Sequence, residues 1–241
     1  MRFSTARKAN GCSPSFLKYY SIIRGYAMRI LYTGFDPFGG EAVNPAYEAV
    51  KRLPDTVAGA EVIRLEVPTE FARCAETVTA AIEQYAPDAV ILVGQAGGRA
   101  AVTPEFVAIN YKDARIPDNA GTQPVNEKIR PEGPAAYFSK LPVRQIAEGI
   151  RRAGIPSAVS YTAGTYVCNF LMYSVLDYLA ARYPHIQAGF IHVPYAREQA
   201  ARLNNGAPCL DIENMAQALC IAGEVTLSCP PDTGAAAGTV C

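Results

Sequence analysis

The stretch DAVILVGQAGGR, residues 88–99, shows most directly how this chain folds. Residues 89–93 are apolar without interruption, and a glycine-rich turn follows them at once. A strand that is apolar on both sides is typical of a parallel sheet whose two faces are covered by helices. The stretch therefore predicts an α/β fold.

Similar apolar runs alternate with helical patterns along most of the chain. Strands are predicted over residues 29–33, 61–67, 88–93, 105–111, 157–161 and 187–193. Helices are predicted over residues 45–53, 69–85, 143–153, 166–182, 196–203 and 211–222. Asn44 and Thr69 have the side chains expected of N-caps for the first two helices. The alternation indicates a single three-layer α/β/α sandwich around a twisted, mostly parallel but mixed sheet.

Three further segments differ from this pattern. Residues 1–27 are basic and acid-free, and we interpret them as an extension that is disordered, a mis-called start or a targeting segment. Residues 28–229 form the folded domain, and the Gly/Ala-rich residues 230–241 are expected to be a disordered tail. The long loop, residues 112–142, is rich in Pro, Gly and Asn, and a loop of this length is typically functional.

The composition argues against several classes of protein. A formal net charge of zero gives no global field for nucleic acid or an anionic membrane, and no run of 18 apolar residues is present. The seven cysteines form no CxxC pair, which favours a reducing compartment and a cytoplasmic location. The two histidines have no metal-ligand spacing, so neither a metal nor a cofactor is expected.

The carboxyl ends of parallel strands meet at one edge of a sheet, where ligands gather. Four segments that follow predicted strands should therefore converge on one pocket, namely residues 34–40, 95–99, 163–168 and 192–195.

Cys168 is the best candidate nucleophile in that pocket. It follows a Gly-Thr break and lies in the first turn of a predicted helix, SYTAGTYVCNFLMYSVLDYL. A helix N-terminus favours the thiolate form, and its free N–H groups are able to hold an oxyanion. The alternative is that Cys168 is an ordinary buried hydrophobe among apolar neighbours.

A thiol nucleophile needs a base, and a third group normally orients that base. His192 ends the apolar run GFIHVPY and is the better base, since His185 lies in the predicted surface loop RYPHI. Glu105 enters an apolar run after a proline, where a buried carboxylate must find a partner. Asp113 and Asp118 in the long loop are alternatives to Glu105.

Two glycine-rich stretches supply candidate pocket residues. TGFDPFGG matches no phosphate-binding motif, and its Phe35 and Phe38 are better interpreted as apolar walls. GQAGGR contains Gln95 and Arg99, which serve either polar recognition or loop capping.

Several long strings occur in one order between about residues 28 and 222: TGFDPFGG, NPAYEAVKRLP, ILVGQAGGR, TPEFVAIN, DARIPDNAGTQPV, EGPAAYFSKLP, SYTAGTYVCN and GFIHVPY. Together they resemble the pyroglutamyl peptidase I, or pyrrolidone-carboxylate peptidase, family of cysteine peptidases. The resemblance implies a phosphorylase/hydrolase-like sandwich and removal of N-terminal pyroglutamate (5-oxoproline) from peptides, without metal or cofactor.

The resemblance also implies roles for particular residues. Its catalytic Glu, Cys and His correspond to Glu105, Cys168 and His192. Its substrate pocket corresponds to Phe35, Phe38, Asn44, Gln95, Arg115, Tyr166 and Val167. Homotetramers are typical of the family.

Two positions depart from the family pattern. Phe106 follows Glu105 where a basic residue is usual, and Tyr166 replaces a common phenylalanine. Phe106, Phe138 and the long loop are candidates for a subunit contact. Two other functions are considered, a phosphorylase-like transferase on the same architecture and a catalytically silent peptide-binding homologue.

Overall fold

A computed structural model describes residues 27–229, so the predictions for residues 1–26 and 230–241 lie outside the described part. The strands are β1 (Arg29–Phe35), β2 (Thr56–Val57), β3 (Ala60–Val67), β4 (Ala89–Gln95), β5 (Thr103–Pro104), β6 (Val107–Ile109), β7 (Ala136–Phe138) and β8 (Gln187–Val193). The helices are α1 (Pro45–Lys51), α2 (Cys74–Tyr85), α3 (Val143–Arg152), α4 (Val167–Arg182), α5 (Arg197–Leu203) and α6 (Ile212–Ser228).

Six strands form one sheet in the order β2-β3-β1-β4-β8-β5. The four central strands are parallel, and the short edge strands β2 and β5 are antiparallel to their neighbours. The predicted mixed, mostly parallel sheet is confirmed.

Alternate residues of the central strands pack against helices on opposite faces of the sheet. Ile30 and Tyr32 of β1 belong to the core beneath α1, α3 and α6, and the Tyr32 hydroxyl donates to the Leu219 carbonyl of α6. Leu31 faces the other way, into the core shared with Leu171 of α4 and with α2. Both faces of the sheet are therefore shielded from solvent by helices, which explains the unbroken apolar runs of the sequence.

The second helix begins later than predicted. Thr69 does not cap it, because its N–H and hydroxyl bond to the Asp36 side chain and carbonyl respectively. The chain turns through residues 70–73 before α2 starts at Cys74. The N-cap role predicted for Asn44 is confirmed, since its Oδ1 accepts from the Ala46 N–H.

The predicted strand 157–161 does not form a continuous ladder. It lies parallel to residues 102–106 but pairs only through isolated bridges at Ser157 and Ser160. The ladder lacks a hydrogen bond at Pro104, because proline has no N–H to donate, although its carbonyl accepts from the Ser160 N–H.

The predicted strand 105–111 is also only partly formed. Only β6 lies within it, and β6 pairs with β7, a strand inside the long loop that was not predicted, whereas β5, just before the predicted strand, pairs with β8. Glu105 lies at the junction between the two sheets, where its N–H donates to the Phe190 carbonyl. The break between β5 and β6 carries the Glu105 side chain to the edge where β8 ends.

Within residues 27–229, no helix combines the length and the apolar character needed to cross a membrane.

Candidate active site

The carboxyl ends of β4 and β8 bring the candidate nucleophile and base to one place. Gly94 and His192 are partners in the parallel register of these strands. A Cβ added to Gly94 would lie 3.0 Å from the Cys168 Sγ and 2.7 Å from a ring carbon of Phe190. The thiol therefore lies beside Gly94, where an added Cβ would clash with the Phe190 ring and press on the thiol.

Glu105 and His192 form a buried pair. Glu105 Oε1 lies 2.7 Å from His192 Nδ1, and both residues are buried. The Phe190 ring packs on the imidazole, with 4.7 Å between the ring centroids. Because Nδ1 is held by the carboxylate, Nε2 is the nitrogen left for proton exchange.

The two alternative acids have other positions. Asp118 accepts backbone N–H groups of Phe71, Ala120 and Thr122, so its carboxylate shapes the long loop. Asp113 accepts from the Asn126 N–H within the same loop. Glu105 is thus the carboxylate that contacts His192, as the sequence predicted.

Arg99 completes the charged cluster. Its Nη1 donates to Glu105 Oε1 at 2.5 Å and to the Thr103 hydroxyl at 2.6 Å, and its Nη2 donates to the Thr162 carbonyl at 3.0 Å. Burial opposes ionisation of Glu105, but the hydrogen bond and charge of His192, with the charge of Arg99, lower its pKa below the ordinary value. The carboxylate is therefore an ionised partner for an imidazolium.

Cys168 is a thiol rather than a thiolate at rest. Burial of the sulfur and then the charge of Glu105 raise its pKa to about 12, against a lowering effect of Arg99. The backbone hydrogen bond at Cys168 does lower the pKa, as expected at a helix N-terminus, but burial and the Glu105 charge outweigh it. The residue as a whole is partly exposed.

Aromatic side chains form the walls beside the thiol. Tyr166 packs against Phe38 and Phe71, with ring centroids 6.3 and 5.5 Å apart. Phe35 is buried beneath and packs against Phe190 at 6.4 Å. The Tyr166 hydroxyl donates to the Pro117 carbonyl, which ties this wall to the long loop.

The polar pocket candidates divide into two groups. Gln95 Oε1 accepts from the buried Gln199 Nε2 at 3.0 Å, an arrangement that leaves the Gln95 amide N–H groups for a ligand. Asn44 uses Oδ1 for the α1 cap and one amide hydrogen for the Asp36 carbonyl, so its side chain shapes the glycine loop. Val167 is buried and offers only its backbone, and Arg115 lies exposed on the long loop.

The part of the chain that the structure describes contains no cluster of three or more His, Cys, Asp or Glu able to hold a metal ion.

Comparison with known proteins decides the family. The sequence model of pyroglutamyl peptidase (Peptidase_C15) matches residues 28–228. A pyrrolidone-carboxylate peptidase of Levilactobacillus brevis is 59% identical over 185 residues, which cover 77% of this chain and 90% of that protein. The chain belongs to the pyroglutamyl peptidase family.

Solved structures of this family of cysteine peptidases agree with that assignment. Pyroglutamyl peptidase I from Bacillus amyloliquefaciens has a TM-score of 0.84 at 48% identity, covering 88% of this chain and 100% of that one. The pyrrolidone carboxyl peptidase of Thermococcus litoralis has a TM-score of 0.79 at 37% identity, covering 83% and 93%.

Phe106, which follows Glu105 where the resemblance implies a basic residue, lies in an aromatic cluster. Phe106 packs against Phe138 and Tyr161, and the Arg144 guanidinium lies over its ring at 5.8 Å. The cation that contacts Glu105 is Arg99.

Sequence reasoning missed two residues of this site. The sequence left two possible roles for Arg99, polar recognition or loop capping. A buried Glu105 nevertheless requires a positive partner, and Arg99 precedes it by six positions. Phe71 lies in the turn before α2, and it was not singled out because a helix was predicted over that position.

Proposed function

We propose that the chain hydrolyses the peptide bond that follows an N-terminal pyroglutamyl residue, with Cys168 as nucleophile, His192 as base and acid, and Glu105 as the group that orients His192. The observation that carries the proposal is the 2.7 Å contact between Glu105 and His192 at the strand end beside Cys168. The three residues fill the roles of nucleophile, base and orienting group.

In the reaction, His192 Nε2 takes the thiol proton as the sulfur attacks the pyroglutamyl carbonyl. Because the thiol pKa is raised, proton transfer and attack proceed together rather than from a stored thiolate. The backbone N–H groups of Cys168 and Gly98 are the proposed oxyanion donors. His192 then protonates the leaving amine, and water hydrolyses the thioester to return free enzyme.

The pocket suits a lactam. Pyroglutamate has no free α-amine, so it is recognised by shape and by its N–H and C=O groups rather than by charge. Phe35, Phe38 and Tyr166 supply apolar walls, and Gln95 and the Val167 backbone supply polar contacts, with Arg115 a further candidate. Buried polar groups of this kind strongly reject a ring that leaves them unpaired.

A pair of coumarin substrates tests the proposal. We expect release of aminomethylcoumarin from its pyroglutamyl derivative and at least about a hundredfold less from the prolyl derivative, which lacks the lactam carbonyl. Cys168→Ala should abolish turnover. Equal turnover of both substrates, or an active alanine variant, would contradict the proposal.

The setting of the enzyme is part of the same proposal. Residues 28–229 act as one peptidase domain in the cytoplasm, on peptides rather than nucleic acids or membranes. A homo-oligomer, a tetramer by resemblance, is supported by Phe138, which is 65% exposed and packs against Phe106. Light scattering at several protein concentrations tests that assembly.

A further inference from the structure

Arg99 joins three parts of the site that are separate in sequence. One nitrogen donates to Glu105 and Thr103, at the start of the acid-bearing segment, and the other to the Thr162 carbonyl. Thr162 lies in the turn that leads into α4 and Cys168. The Arg99 side chain is 29% exposed, whereas that of Glu105 is fully buried.

The position of Arg99 is determined by the glycine turn after β4. Gly98 has a φ of +88°, a conformation that L side chains rarely adopt, and it turns the chain so that Arg99 faces back over the strand ends. Tyr195 packs so closely on Gly97 that an added Cβ would lie 2.2 Å from its ring. The turn therefore has little freedom, and the guanidinium is held in place from its backbone outward.

We propose that Arg99 is a positioning residue, which aims the Glu105 carboxylate at His192 and ties this pair to the turn in front of the nucleophile. The inference rests on the proposed roles of Glu105 and His192. A planar guanidinium offers several donors in a fixed fork, whereas a lysine ammonium lacks that planar, two-pronged geometry. Because both Nη1 and Nη2 of Arg99 make hydrogen bonds, this position favours arginine over lysine.

The charge of Arg99 lowers the pKa of both Glu105 and Cys168. Glu105 faces His192 on β8, Arg99 and Cys168, and Arg99 lowers its pKa. Cys168 faces Glu105, Arg99, Cys74 of α2 and Tyr166, and Arg99 also lowers its pKa. Removal of the guanidinium should therefore raise the pKa of both groups.

The test compares Arg99→Gln, Arg99→Lys and Arg99→Ala with Arg152→Gln, which alters an arginine on the exposed face of α3 paired with Glu148. In Arg99→Gln we expect kcat for the pyroglutamyl coumarin substrate to fall about 10- to 100-fold with little change in KM. The acid limb of the kcat/KM profile should move to higher pH. Added guanidinium should partly restore Arg99→Ala, and Arg99→Lys should recover the charge but not the full rate.

Circular dichroism and unfolding by urea show whether each variant is folded. Folded Arg99 variants with wild-type kcat and an unmoved acid limb overturn the role of Arg99. The Glu105→Gln variant, measured in the same assay, separates the role of Arg99 from the proposed function. If Glu105→Gln is inactive and Arg99→Gln has wild-type activity, only the role of Arg99 is overturned. If Glu105→Gln is active, the proposed function is overturned as well.

Discussion

At the scale of single residues, the state of Cys168 is decided by the balance of two effects. A helix N-terminus contributes about 0.3–1 kcal/mol in favour of an anion, which is less than about one pKa unit. Burial and the neighbouring carboxylate act in the other direction and raise the pKa from 9.0 to about 12. The larger effect wins, so the free enzyme holds a thiol.

This balance predicts the pH dependence of alkylation. Inactivation by iodoacetamide should accelerate about tenfold per pH unit across roughly pH 6 to 10, without a plateau near the ordinary thiol pKa, because the thiolate fraction keeps rising. Residual activity measures the rate, and Cys168→Ser measures alkylation of the other cysteines. A plateau at or below neutral pH would show a stored thiolate and contradict the thiol state.

The residue scale is also where sequence reasoning was strongest and where it failed. Residue type and local setting selected three candidates: Cys168 at a helix start, His192 at a strand end and Glu105 in an apolar run after a proline. Arg99 was harder to assign, because its partners lie 4 to 63 positions away in sequence and the folded turn brings them together. The thiol state also depends on burial, which the pattern around Cys168 does not measure.

At the scale of elements, α4 both presents the nucleophile and holds the long loop. Asn169, Tyr173 and Asp177 lie four residues apart on one face of this helix. Tyr173 donates to the Pro134 carbonyl, and Asp177 pairs with Arg130. The loop is therefore anchored to the helix that begins at the active site.

Asn169 makes three hydrogen bonds to the segment at the end of β6, just before the long loop. It accepts from the Ile109 N–H and donates to the Ile109 and Tyr111 carbonyls, each at 2.9 Å. Asn169→Ala should reduce the free energy of unfolding by about 1–3 kcal/mol, because these backbone groups lose their partner. Urea unfolding measures the change. Asn205→Ala, in an exposed turn, should stay within about 0.5 kcal/mol of wild type. An equal stability of both variants would contradict the anchoring role.

Element boundaries were predictable where periodicity was clear and less so where single residues interrupt it. The predicted strand 187–193 matches β8, and the predicted helices 143–153 and 166–182 match α3 and α4 to within one residue. The strand at 157–161 was reduced to bridges by the missing N–H of Pro104, a residue on the neighbouring segment. Such an effect depends on which segments become neighbours, which local propensity does not give.

At the scale of the whole molecule, the parallel sheet brings distant segments to one edge. The ends of β4 and β8 supply Gln95 and His192, and the start of α4 supplies Cys168. The loop after β4 adds Arg99, and the end of β1 with the loop after it adds Phe35 and Phe38. This convergence was predictable, because the order of apolar runs implies parallel strands and parallel strands place their carboxyl ends together. The acid was placed less directly, through the short antiparallel strand β5 at the sheet edge.

The central proposal is that Cys168 is the thiol that attacks a pyroglutamyl carbonyl. Its most direct test is to inactivate the full chain with a pyroglutamyl chloromethyl ketone and to locate the adduct by peptide mass spectrometry. The chain contains seven cysteines, so the other six serve as internal controls. We predict one adduct, on Cys168, in proportion to the activity lost. Loss of activity with the adduct on any other residue would contradict the claim.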